Sequence, residues 1–210
     1  MYRPKFGVLV SGGGTNLQAI LDAVSSGKLE ADIGVVISNV AGAGALKRAE
    51  ASGVPTATLP HKSFGSREQF DEALVARLLE ADVQWIVLAG FMRLLTPTFL
   101  EAFPWRVINI HPALLPAFPG VDAQGQAFRY GAKITGCTVH LVDAGTDTGP
   151  ILAQLAVPVL DGDTEDELRK RVLLAEHELF VDTLCLIAKR SVVVSGGVEG
   201  QRTVVRFGPP

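Results

Sequence analysis

Apolar residues along this chain alternate between short continuous runs and stripes at helical spacing. Phe6-Gly7-Val8-Leu9-Val10 is a run of strand length ending at Ser11-Gly12-Gly13-Gly14, and from Asn16 to Val24 the residues Leu17, Ile20, Leu21 and Val24 recur as one helical face. Ile33-Gly34-Val35-Val36-Ile37 predicts a second strand, Ala45 to Ala51 a short helix, and Thr56 to Leu59 a third strand. Ser66 to Ala81 reads as an amphipathic helix with Phe70, Leu74, Leu78 and Leu79 on one side, opened by a capping box of Ser66 and Gln69. Trp85-Ile86-Val87-Leu88-Ala89 is apolar throughout, as a parallel strand covered on both faces must be. This alternation predicts an α/β fold built on a doubly wound, mostly parallel sheet.

Beyond residue 100 the rhythm loosens into a less regular, mixed half. Val107-Ile108-Asn109-Ile110-His111 is a strand carrying polar residues, Ala123 to Tyr130 is helical, and Gly136 to Val142 and Ile151 to Val157 are strands joined by a Gly-rich loop. Thr164 to Lys189 is a long helix, opened by Thr164 with Glu167 three residues on. Ser191 to Phe207 reads as a hairpin of two Val-rich strands around Gly196-Gly197 and Gly200. With no repeat or linker in 210 residues, the expectation is one domain over 1–210, with halves of about 1–100 and 101–190 and a hairpin of about 191–207.

Composition narrows the function classes. A hydrophobic fraction of 48% against 20% charged residues excludes disorder. Nineteen basic and 22 acidic residues leave a net charge of −3, so no basic field exists to hold a nucleic acid. No apolar stretch approaches the roughly 20 residues of a membrane span, and Met1 to Phe6 lacks a signal-peptide cleavage site, so the expectation is a cytoplasmic protein without a membrane partner. Cys137 and Cys185, far apart in apolar contexts, read as buried thiols.

Ser11-Gly12-Gly13-Gly14-Thr15-Asn16, between the first strand and helix, is either a tight turn or a cradle for an anion at a helix start. Leu17 stands where a dinucleotide fingerprint needs its third glycine, Ser38 and Asn39 where it needs an acid, and no Gly-Lys-Ser/Thr follows. One phosphate group on a small metabolite fits better than NAD or ATP.

Asn109 and His111 share one face of their strand, and Pro112 helps end the element there. An amide donor beside an imidazole suits acyl-type chemistry, while a buried structural histidine explains the same pattern. His140 alternates in its strand with Cys137-Thr138-Val139 and can face the same cleft; His61 reads as solvated, and His177 as a surface or capping residue. None of these pairs has metal-ligand spacing, and no metal is expected. The loop Asp143 to Pro150 holds two carboxylates, suited either to an Asx turn or to supporting His111. Asp161 to Glu165 resembles a calcium loop superficially but lacks the glycine and glutamate at its sixth and twelfth positions, where Asp166 and Val172 stand, so it reads as a helix cap.

Taken together, Ser11-Gly-Gly-Gly-Thr-Asn-Leu-Gln18, Leu88-Ala-Gly-Phe-Met-Arg-Leu-Leu95, Asn109-Ile-His-Pro-Ala-Leu-Leu-Pro116, and Thr138-Val-His140 followed by Asp147-Thr-Gly-Pro150 resemble the folate-dependent formyltransferases, specifically the phosphoribosylglycinamide formyltransferases of purine synthesis. The likeness covers about residues 5 to 190, with the motifs in the same order, and Ser66-Arg67-Glu68 and Ala175-Glu176-His177 also match family positions. It implies a Rossmann-like formyltransferase fold and transfer of a formyl group from the co-substrate 10-formyltetrahydrofolate to the amine of glycinamide ribonucleotide, by a monomer or homodimer. By the matching motifs, Gly14, Thr15 and Asn16 hold the substrate phosphate and Glu176 its hydroxyls. Arg67, Met92, Arg93, Leu94, Leu95, Asn109 and His140 serve the folate, and Asn109, His111 and Asp147 are the catalytic trio.

The chain departs from the family pattern at Ala113 and Ala117, where a serine and a lysine or serine are common, and at Gly120-Val121-Asp122-Ala123-Gln124, where many members carry a histidine. Relatives with the same trio are a deformylase and methionyl-tRNA formyltransferase, each needing a further domain for which 210 residues leave no room. A non-catalytic phosphometabolite-binding module would explain the glycine loop alone, and a nicotinamide dehydrogenase is a weaker alternative.

Overall fold

The computed structural model describes residues 3–196 and 203–209. They divide into two compact units between Ile108 and Asn109, somewhat later than the division near residue 100 expected from the sequence.

The first unit follows the alternation closely. Its elements are β1 (Lys5–Val10), α1 (Thr15–Ser25), β2 (Asp32–Ser38), α2 (Gly44–Ala51), β3 (Thr56–Thr58), α3 (Arg67–Glu80), β4 (Trp85–Leu88) and α4 (Pro97–Ala102), with a 3-10 turn at His61–Ser63. Its strands pair in parallel in the order β3-β2-β1-β4. All four residues of β4 are buried, which explains its unbroken apolar sequence. Gly7 sits in β1 where α3 presses closest: a Cβ there would lie 2.5 Å from Leu78 Cδ2.

Ser66 caps α3 by accepting from the Gln69 N–H, but the Gln69 side chain turns to the Gly65 N–H instead of completing a reciprocal box. Phe70, Leu74 and Leu78 are buried as the spacing predicts, whereas Leu79 is 60% exposed, being one residue, or about 100°, past the buried stripe. Helix α4 was absent from the sequence reading. Six residues begun by a proline are too few to show a helical period, and what marks it is Pro97 at its start and buried Phe99.

β5 (Val107–His111) leads into the second unit, which adds α5 (Ala123–Tyr130), β6 (Ile134–Leu141), β7 (Ile151–Pro158), α6 (Glu165–Lys189), β8 (Val192–Ser195) and β9 (Val204–Phe207). β6 and β7 pair antiparallel, with a register shift between Val139 and His140. Thr164 and Glu167 form a complete capping box on α6, and α6 packs Leu168, Val172 and Ala175 against Cys137 and Val157. β8 and β9 pair antiparallel, as expected of a hairpin; Gly196 is described, whereas the predicted turn residues Gly197 and Gly200 lie outside the described residues. The chain is therefore α/β, with parallel strands in its first unit and an antiparallel pair in its second.

Among the described residues Cys137 is fully buried, but Cys185 is only half-buried, contrary to the expectation for both. No helix among them is long and apolar enough to cross a membrane.

Candidate active site

In the second unit, β5 delivers Asn109 and His111 on one face, as strand alternation requires. The chain leaving it is fixed by Thr138, whose hydroxyl donates to Ala113 O at 2.7 Å and accepts from the Leu115 N–H at 3.0 Å. Gln154 adds an N–H to Leu115 O at 2.9 Å. The departure Ala113 is fully buried at this bracket, while Ala117 is exposed.

His140 is brought to Asn109 by β6, at the register shift. A bulge of this kind re-aims a side chain. The imidazole is 2% exposed, with Nδ1 2.9 Å from Leu141 O and Nε2 3.2 Å from Asn109 Nδ2. A carbonyl only accepts, so Nδ1 carries the proton and Nε2 accepts from the amide. Burial holds the His140 pKa below the ordinary histidine value, in keeping with this neutral form. One N–H of Asn109 is thereby committed, and its orientation fixed.

His111 is 4% exposed and faces an acceptor at each ring nitrogen: Asp147 Oδ2 at 3.3 Å from Nδ1 and Phe118 O at 2.8 Å from Nε2. It satisfies both only when doubly protonated. Asp147 Oδ2 also accepts the Gly120 N–H at 2.8 Å, and Oδ1 lies 3.7 Å from His140 Nε2. The two readings of the acidic loop divide between its carboxylates. Asp143 makes the Asx turn, accepting from the Gly145 N–H and Thr148 hydroxyl, and Asp147 reaches the histidines. Phe118, Asp122 and Asp147 all adopt left-handed backbone, a conformation that non-glycine residues hold at a cost and that concentrates at functional sites.

The sequence reading missed the backbone partners Phe118 O and Gly120 N–H, since nothing in residue identity marks a carbonyl or an amide. It also left Asp122 unexplained. That carboxylate binds both Arg129 and Arg169, and these pairs hold it below its usual range. Glu176, on α6, is 5% exposed near Cys137. Its neighbour His177 is half-buried rather than on the surface, with an unpartnered Nε2 and a pKa lowered by burial. Asp163 accepts from the Leu160 N–H and pairs with Arg171, which accounts for it without calcium; no cluster suited to a metal occurs among the described residues.

The first unit carries the other predicted residues. Gly14 caps α1 with φ 76° and ψ 38°, and a Cβ there would sit 2.6 Å from that of Ala45. Having no side chain, it leaves the first N–H groups of α1, from Thr15 onward, to a ligand. Asn16 Oδ1 is buried without a partner. Arg48, unremarked in the sequence, donates from Nε to Gly13 O at 2.8 Å.

Ser11 ties this loop to the segment 90–95: its hydroxyl donates to Asn39 Oδ1 at 2.6 Å and accepts from the Met92 N–H at 2.9 Å. Asn39 Nδ2 lies 3.2 Å from His61 Nδ1, so His61 is engaged rather than solvated. Arg67 donates to Leu94 O at 2.8 Å, and Arg93 lies over the Phe70 ring, leaving Met92 (77%) and Leu94 (59%) exposed. Leu95 is half-buried.

The chain matches the family model described as formyl transferase over residues 4–184. It is 42% identical to the phosphoribosylglycinamide formyltransferase of Bacillus subtilis (strain 168), across 84% of this chain and 90% of that protein. It is 45% identical to the trifunctional purine biosynthetic protein adenosine-3 of Drosophila melanogaster, across 95% of this chain but only 15% of that protein's length. The solved structure of glycinamide ribonucleotide transformylase 1 from Symbiobacterium toebii superposes with a TM-score of 0.91 at 47% identity, covering 98% of this chain and 94% of that one.

Proposed function

This chain belongs to the formyl transferase family, and from that premise we propose that it transfers a formyl group from 10-formyltetrahydrofolate to the amine of N1-(5-phosphoribosyl)glycinamide, a step of purine synthesis. The names of its relatives in Bacillus subtilis and Symbiobacterium toebii support formyl transfer to this acceptor. The observation that carries the reading is the convergence of two pairs, Asn109 hydrogen-bonded to His140 and His111 facing the Asp147 carboxylate.

In this reading the glycine loop and the start of α1 bind the substrate phosphate through Gly14, Thr15 and Asn16, and Glu176 binds its hydroxyls. The segment Met92 to Leu95 suits a flat heterocycle with polar edges. It presents exposed apolar side chains on a backbone pinned by Ser11 and Arg67. By the matching motifs His140 and Asn109 also serve the folate, and Arg67 meets its acidic side. The folate supplies the formyl carbon.

Attack by the substrate amine builds negative charge on the formyl oxygen. Asn109, with one N–H held by His140, offers its other N–H to that oxygen, and protonated His111 offers a second donor. The Nε2 proton of His111, resting on the Phe118 carbonyl, is the one it can hand to the departing nitrogen, because Nδ1 is held to Asp147. Asp147 stabilises the imidazolium and takes up, through water, the proton shed by the amine. Each preorganised donor of this kind contributes about 3–4 kcal/mol to the barrier reduction.

The test mixes the purified chain with 10-formyltetrahydrofolate and glycinamide ribonucleotide and follows folate absorbance. Turnover requiring both compounds supports the reading. Turnover with folate alone replaces it with a deformylase, and binding without turnover with a non-catalytic module.

A further inference from the structure

We propose that Arg48 is a positioning residue for the phosphate loop, holding it through the Gly13 carbonyl so that the loop's N–H groups face a phosphate; this rests on the function proposed above. A trans peptide is planar, so its C=O and N–H point in opposite directions. The Gly13 carbonyl receives the Arg48 Nε–H at 2.8 Å, which turns the Gly14 N–H away from α2. The Gly12 carbonyl receives the Ala45 N–H at 3.1 Å, which turns the Gly13 N–H away from α2 as well. Two successive amides are thus aimed outward by two donors of one helix.

The left-handed Gly14 that follows curls the backbone so that neighbouring N–H groups converge, the geometry of an anion-binding nest. Arg48 is itself held in place. Its Nη1 donates to Gln18 Oε1 at 3.1 Å, and Gln18 Nε2 donates to Asp22 Oδ1 at 2.8 Å, so α1 orients the guanidinium that orients the loop.

Two substitutions separate the clamp from the charge. R48M keeps the length and loses the donor. R48Q loses the charge but keeps an N–H, because glutamine Nε2 is as many bonds from the backbone as arginine Nε. Losing one hydrogen bond of this kind, R48M should raise KM for the phosphorylated amine about tenfold, with kcat and the folate KM within about threefold of wild type, and R48Q should restore most of the affinity.

A second readout needs no catalysis: inorganic phosphate is titrated while the amide resonances of Gly13 and Gly14 are followed. In wild type and R48Q they should shift at similar phosphate concentrations, and in R48M only at about tenfold more. Equal loss in both variants would assign the effect to charge and overturn the clamp, as would an R48M that binds phosphate like wild type. A wild-type chain that binds phosphate through these amides but transfers no formyl group would instead sink the function while leaving the clamp standing.

Discussion

One oxygen of Asp147 accepts two donors at once, His111 Nδ1 at 3.3 Å and the Gly120 N–H at 2.8 Å. The backbone amide therefore fixes the carboxylate in the orientation that faces the imidazole. In D147N the carboxamide oxygen would stay on Gly120 and still face His111 Nδ1, but the side chain would lose the negative charge that supports the imidazolium and could no longer take up a proton. We expect kcat to fall by about 10²-fold or more, the scale of a lost general acid–base partner, with KM for the phosphorylated substrate changed only a few-fold. Steady-state kinetics decide it, and a variant with wild-type kcat would remove Asp147 from the mechanism.

Gly14 and Gly13 should respond very differently to alanine. At Gly14 the backbone has φ 76° and a Cβ would sit 2.6 Å from Ala45 Cβ and 2.7 Å from its Cα, whereas at Gly13 nothing lies within 4 Å. Strain and overlap together should make G14A less stable by about 1–3 kcal/mol and weaken phosphate-substrate binding. G13A should lose much less stability. Urea denaturation of the two variants beside wild type makes the comparison, and equal losses would contradict the loop geometry.

Buried histidine gives the stability a direction in pH. Burial lowers the pKa of His140 and that of His177, so the folded chain holds these rings neutral below the pH at which an unfolded chain, near 6.5, takes up protons. Between the lowered folded values and about 6.5 the unfolded state binds more protons, so stability rises with pH there and is lost as pH falls. The His140 contribution should reach at most about 1.4 kcal/mol per pH unit. Denaturation midpoints from pH 5 to 7.5 should climb, and H140N should flatten the climb; an unchanged slope would place the titration elsewhere.

What sequence could reveal here depended on whether a signal lay in side chains or in backbone. The apolar runs of β1 and β4 and the face of Leu17, Ile20 and Leu21 declared themselves, because burial selects residue type at a fixed period. Asn109 and His111 were legible for the same reason, two polar residues interrupting a buried strand. Their partners Phe118 O and Gly120 N–H were not, since any residue supplies a carbonyl or an amide. His61 was misread because its partner Asn39 is 22 positions away, and no local pattern encodes that pairing. The pairing of Asp163, just ahead of α6, with Arg171 inside it was equally hidden, though the α6 cap itself was visible in Thr164 and Glu167.

The two cysteines offer a direct measure of how tightly the second unit is packed. Cys137 is fully enclosed by Val157, Leu168, Val172 and Ala175, and burial first, then the nearby Glu176, pushes its thiol up to about 12. The thiolate is the reacting form, so at pH 8 about one part in 10⁴ of Cys137 is reactive even before access is considered. Cys185 is half-buried and should react first with a disulfide reagent. Mass spectrometry should find a single modification, at Cys185, under native conditions, and in C185S the labelling of Cys137 should follow the global unfolding curve in urea. Labelling of Cys137 at a rate independent of urea would mean that this core opens locally, and that α6 is held far less firmly than its buried face implies.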